Sequence, residues 1–189
     1  MMRNFRVTYD GGYAETSGRS CKEIPMGKSF PWGKNIWYVP AVYTCGRGLV
    51  MDFCVEIQPE RIRGFLEKWS AYLAQPHLVT REIREKMERE NPMERNFRES
   101  IWVNGKRLPA DRSFGVGWIP PELLPRGERI SREAREVISW YDLNPRKGWM
   151  LRRTSFQWAT VAKPRIRSIK LQLEQLSGGT DEPETFELL

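Results

Sequence analysis

The most constraining stretch of the chain runs from Leu49 to Ile57. There Leu49, Met51, Phe53, Val55 and Ile57 alternate with Val50, Asp52, Cys54 and Glu56, the period-two pattern of a β-strand with a buried face. Gly46-Arg47-Gly48 precedes it and Ile36–Cys45 precedes that, so the segment reads as a hairpin over 36–57. A three-residue turn would set Cys45, Tyr43, Ala41, Val39 and Trp37 opposite Leu49, Met51, Phe53, Val55 and Ile57 in turn, giving one apolar face. Pro40 cannot donate to a ladder, so the first strand should be an edge or bulged there.

Periodicity then changes. Pro59 opens a helix whose stripe is Ile62, Phe65, Leu66, Trp69, Tyr72 and Leu73. A second, solvated helix is expected over about 80–90. Asn104-Gly105 marks a hairpin turn after Ile101-Trp102-Val103. Residues 109–127, rich in proline and glycine, read as irregular loop. Ser131 should cap a short helix ending at Trp140, with Ala134, Val137, Ile138 and Tyr141 facing inward. Residues 149–156 read as a strand. Residues 166–176 fit strand or helix, and Pro164 favours the strand. The whole is mainly β, a β-sandwich or jelly-roll-like domain with helical insertions, with an α+β sheet as the alternative. One domain spans 1–176 and an acidic tail, expected to be loose, spans 177–189.

The segment "IWVNGKRL…SFGVGWIPPELLPRGE", residues 101–128, resembles the jelly-roll sugar-binding modules that accompany family 2 glycoside hydrolases. In those modules a strand, an NGK-type turn and a later D-L-L-x-x-G-E-like segment recur. The resemblance implies a β-sandwich and specifies no ligand. The helix that follows, and the lack of a secretion signal, depart from that pattern.

The residues exclude more chemistry than they support. A single histidine, His77, sits in a turn between the two helices and reads as an exposed loop residue. Cys21, Cys45, Cys54 and His77 show no metal-ligand spacing, so neither metal nor cofactor is expected. Gly115-Val116-Gly117 lacks the third glycine of a dinucleotide fingerprint and reads as a loop feature. Asp52 and Glu56, four apart on a strand, would stand roughly 13 Å apart along the backbone, too far for a close carboxylate pair. They read as a solvated strand face. No catalytic residue is assigned.

Cys45 and Cys54 flank the hairpin tip too far apart to pair, and Cys21 reads as a loop residue, so three free thiols are expected. With no apolar leader at the N-terminus and no run of roughly 20 apolar residues, a cytoplasmic protein without membrane contact is expected.

The net charge of +7 is unevenly spread. Residues 143–173 carry Arg146, Lys147, Arg152, Arg153, Lys163, Arg165, Arg167 and Lys170 and no acid, whereas Glu174, Asp181, Glu182, Glu184 and Glu187 follow. Between 146 and 170 the cations interleave with Trp149, Phe156 and Trp158, a combination that can meet phosphates and bases. Trp32, Trp118 and Trp158 are candidate platforms for a sugar ring. The expected role is non-catalytic binding of a macromolecular partner or glycan through Trp118, Trp149, Arg152, Arg153, Trp158, Arg165 and Arg167. Nucleic-acid binding through 146–170 is the second reading and a carboxylate-dependent hydrolase the third.

Overall fold

A computed structural model describes residues 5–13, 18–94, 96–176 and 182–189. The hairpin signal is realised as β2 (Asn35–Thr44) and β3 (Gly48–Ile57). Its turn is tighter than three residues: the Cys45 amide donates to the Gly48 carbonyl at 2.8 Å, leaving Gly46 and Arg47 at the tip. That shifts the register by one residue near the turn, to Thr44 opposite Leu49 and Val42 opposite Met51. A bulge between Tyr38 and Val42, around Pro40, shifts it once more and sets Trp37 opposite Val55. On β3 the expected face survives, because Leu49, Met51, Phe53, Val55 and Ile57 all point into the main core, but on β2 the shift leaves only Trp37 and Val39 of the expected partners there and turns Ala41, Tyr43 and Cys45 to the other face with Val50.

β1 (Lys22–Trp32) pairs with β2, and β3 pairs with β7 (Gly148–Gln157), which pairs with β6 (Ala110–Trp118). The first sheet therefore runs β1-β2-β3-β7-β6. In the second sheet β4 (Phe97–Val103) lies between β5 (Lys106–Leu108) and β8 (Ile169–Gln175), and β9 (Glu184–Glu187) completes the order β5-β4-β8-β9. All pairings are antiparallel. Apolar residues of both sheets meet in one core, where Phe97 of β4 stands edge-on to Trp37 and Phe53. The fold is a β-sandwich with helical insertions, as its periodicities imply.

The helices lie where expected: α1 (Pro59–Ala74), α2 (Arg81–Glu90) and α3 (Arg132–Trp140). The Ser131 hydroxyl caps α3 by accepting from the Ala134 amide, and Asn104 and Gly105 take the positive φ values of their hairpin turn. Among the described residues no helix is long and apolar enough to cross a membrane.

Two expectations need correcting. Residues 110–118 are not loop but β6, an edge strand whose alternation of Arg112, Phe114, Val116 and Trp118 is obscured by the intervening glycines. The tail is not wholly loose either. Residues 177–181 of it lie outside the described residues, but β9 pairs with β8, and Phe186 stacks on Phe30 of β1 with centroids 3.8 Å apart.

The three free thiols are also overturned. Cys21 directly precedes β1, and the pairing of Lys22 with Thr44 sets it opposite Cys45. The two cysteines form a disulfide with Cα atoms 4.6 Å apart, and Cys54 alone is free and buried. Closing a loop of sequence separation 24 is worth about 3 kcal/mol by chain-entropy reasoning. Cys21→Ser should therefore lower the urea midpoint by about that stability, and thiol titration of the unfolded, unreduced protein should count one thiol.

Candidate functional site

Strand alternation along β7 decides the fate of the basic segment. Neighbouring side chains on a strand point to opposite faces, so Arg152 turns into the sandwich while Arg153 turns to the outer face of the first sheet. Each meets a buried carboxylate there.

On the outer face Arg153 is 1% exposed. Its Nε and Nη2 donate to Oδ1 and Oδ2 of Asp52, both at 2.6 Å, and its Nη1 donates to the Gly12 carbonyl at 2.6 Å. The Tyr141 hydroxyl donates to Asp52 Oδ2 and lies 2.7 Å from the Tyr43 hydroxyl. Rings of Tyr13, Phe5 and Tyr43 surround the guanidinium at 4.7, 5.2 and 5.9 Å. The N-terminal segment, residues 5–13, covers this cluster, and the Ser155 hydroxyl holds it by donating to the Tyr9 carbonyl. Asp52 is thus buried at 1% exposure rather than on a solvated face. Glu56, the other carboxylate of that reading, is only partly buried and lies 3.8 Å from Lys147 Nζ.

Burial alone would push Arg153 toward the neutral form, but the Asp52 carboxylate more than offsets it, and the guanidinium stays charged. Burial first, and the Asp52 charge second, raise the Tyr13 and Tyr141 phenols well above 10.0 and the Cys54 thiol well above 9.0. The folded chain therefore keeps protons that the unfolded chain releases. Stability should hold below about pH 9 and fall as pH rises toward the raised folded values, by up to about 1.4 kcal/mol per pH unit for each such group. Tyr13→Phe should make the decline shallower, since the Tyr13 hydroxyl has no hydrogen-bond partner to lose. Urea midpoints across that alkaline range measure both.

Inside the sandwich Glu99 of β4 is 5% exposed. It accepts from the Thr154 hydroxyl and lies 3.3 Å from Arg152 Nη2. Arg152 Nε donates to Ser113 Oγ at 2.6 Å, its Nη1 reaches the Phe97 carbonyl at 3.3 Å, and the guanidinium lies over the Phe97 ring. Every nitrogen of Arg152 is engaged. The group ties β4 of one sheet to β6 and β7 of the other.

The tryptophans are spent as well. Trp118, Trp149 and Trp158 are buried, and their indole nitrogens donate to the carbonyls of Pro145, Asn144 and Cys45. Trp32 is also buried and donates to the Glu182 carbonyl. None is a free ring platform, which corrects the expectation for Trp118, Trp149 and Trp158, and Arg153 is likewise removed from any surface.

Arg165 and Arg167 do stand exposed, in the connection between β7 and β8. Asn104 shapes that connection: its Oδ1 accepts from the amides of Arg167 at 2.7 Å and Ser168 at 3.1 Å, and its Nδ2 donates to the Arg165 carbonyl at 2.8 Å. The seven candidate residues therefore do not converge. Sequence reasoning missed Glu99, Tyr141 and the loop-shaping role of Asn104, and of these only the Asn-Gly turn leaves a local signal.

Among the described residues no group of three or more histidine, cysteine, aspartate or glutamate side chains is arranged to hold a metal ion. Comparison with protein-family models, with curated proteins and with solved structures finds no match.

Proposed function

We propose that this chain is a non-catalytic interaction module whose partner is a protein segment rather than a glycan. The observation that carries this reading is the pairing of its buried carboxylates. Asp52 is matched by Arg153 and Tyr141, and Glu99 by Arg152 and Thr154. Charges paired in this way brace a scaffold, and they lack the unmatched environment that tunes an acid or base for catalysis. The burial of Trp32, Trp118, Trp149 and Trp158 takes those four rings out of reach of a sugar.

A nucleic-acid reading keeps one specific support, the exposed Arg165 and Arg167 on a loop pinned by Asn104. These cations offer phosphate contacts, and binding through two such contacts is weak and salt-dependent. A disulfide persists in oxidising compartments, so a cytoplasmic location loses the support that free thiols would have given it.

A displayed library of short peptides, a glycan array and mixed-sequence single-stranded DNA, each offered to the intact protein at physiological salt, test the reading. Peptide binders are expected. DNA binding should be weak and should vanish in Arg165→Ala/Arg167→Ala, and glycans should not bind. Tight, selective glycan or DNA binding with no peptide binders would overturn the proposal.

A further inference from the structure

Of the eight tryptophans, Trp102 is the one the fold leaves unengaged. Trp37 and Trp69, like the four buried rings above, donate their indole N–H inside the protein, to the Trp32 carbonyl and to Glu90. Trp140 stacks on Phe5 with centroids 4.9 Å apart. Trp102 is only partly buried and belongs to no apolar cluster, and nothing among the described residues accepts from its indole nitrogen. The pleat of β4 explains its position. Ile101 and Val103 on either side are buried in the core, so Trp102 turns to the outer face of the second sheet. Arg107 of β5 and Lys170 of β8 lie directly opposite it in the ladder and share that face. The Arg107 guanidinium stands 5.8 Å from the ring centroid and donates to Ser100 Oγ at 2.9 Å.

Some of the cations around this ring are already neutralised. Glu187 pairs with Lys170 at 3.3 Å, and Glu174 with Arg98, further along β4, at 3.8 Å. Arg107, Arg165 and Arg167 pair with no carboxylate among the described residues. Ile166 packs against the core, while Arg165 and Arg167 on either side of it stand exposed. The Asn104 side chain holds their backbone to the β4–β5 turn, and its main-chain amide adds a bond to the Ser168 carbonyl at 3.0 Å. That main chain is therefore fixed before any ligand arrives, which lowers the ordering cost of binding.

An open ring beside unpaired cations matches a base beside its phosphates. An acidic peptide would use the arginines and leave the ring, and a neutral sugar would use the ring and leave the arginines. A duplex keeps its bases stacked on one another, so an unpaired base is the one that can reach Trp102. We infer that this corner of the second sheet, Trp102 with Arg107, Arg165 and Arg167, is a contact site for single-stranded nucleic acid. One base lies against Trp102 and about three phosphates meet the arginines. This is a second function beside the protein-segment reading and does not rest on it, and it gives the weak strand binding expected above a location.

Fluorescence anisotropy of short labelled oligonucleotides with the intact protein, across a salt series, tests this. Single-stranded DNA and RNA of one mixed sequence are the probes. Binding of either at low salt, with a log–log slope of about −2 for three phosphates on a single strand, supports the site, and the tighter of the two names the class of strand. An abasic strand of equal length keeps every phosphate and should bind the unaltered protein at least about fivefold more weakly, since it has no base to stack. That comparison needs no variant to fold. Trp102→Ala should lose a similar factor with the slope unchanged, and Trp102→Phe, which keeps a ring, should recover part of it. Arg165→Ala/Arg167→Ala should flatten the slope to about −0.7. An abasic strand that binds as well as the natural one, or polyglutamate that displaces the strand as effectively as the strand itself, would show that charge alone acts and overturn the inference. Displacement by a neutral oligosaccharide would assign the ring to a sugar and overturn it too. So would the absence of strand binding at low salt, or unchanged binding by Trp102→Ala.

Discussion

Replacing Phe53 by alanine is expected to cost about 3–5 kcal/mol, among the largest losses available from a single truncation here. Phe53 lies on β3, the central strand of the five-stranded sheet, and is 0% exposed. Its ring faces the second sheet and meets Phe97 edge-on at 6.4 Å. Close-packed neighbours on both sheets would be unable to collapse fully into the space, so the loss combines transfer and cavity terms. Urea unfolding should show a lower midpoint with an unchanged slope. Leu73→Ala, on the outer end of α1 at 41% exposure, should change stability by no more than about 0.5 kcal/mol. Comparable losses at the two positions would mean that the β3 face is not the core.

The elements legible in the sequence are those whose pattern is local. The alternation of β3, the stripe of α1, the Ser131 cap and the Asn104-Gly105 turn each encode their own geometry within a few residues. β7 and β8 also follow from alternation, with Pro164 turning the ambiguous segment toward strand. What escaped was set by distant partners. β1 alternates poorly because Pro25 and Pro31 interrupt it, and it is held by pairing with β2. β6 and β9 are edge strands with little burial to leave a hydrophobic signature. The disulfide followed β1 into invisibility, since only the β1–β2 register brings Cys21 to Cys45.

The site shows the same division. Arg152 and Arg153 are consecutive and read as one basic patch, yet the pleat sends them to opposite faces. The partner of Arg153 lies 101 positions away in sequence. The candidate tryptophans were indistinguishable from core tryptophans, because a ring that buries its face and satisfies its indole nitrogen on a carbonyl looks the same in sequence as one that stacks on a ligand. Asp52 alternates with apolar residues as a solvated carboxylate would, and only α3 and the N-terminal segment, folded over that face, bury it.

Asp52 provides the most direct test of the central claim, that the buried polar clusters brace a binding scaffold. Asp52→Ala should cost about 3–5 kcal/mol, because it leaves the Arg153 guanidinium buried without its counter-charge. The double replacement Asp52→Leu/Arg153→Met removes both charges together and should recover most of that loss, as replacing a whole buried pair by apolar groups commonly does. Peptides selected on the unaltered protein should bind the double variant as before. A carboxylate kept for chemistry behaves in the opposite way, since functional groups are often held at a cost to stability and their removal is neutral or stabilising. The measurement is calorimetric melting of the single and double variants side by side. A sharp drop for Asp52→Ala and recovery in the double variant is the predicted result, and an Asp52→Ala protein as stable as the parent would contradict it.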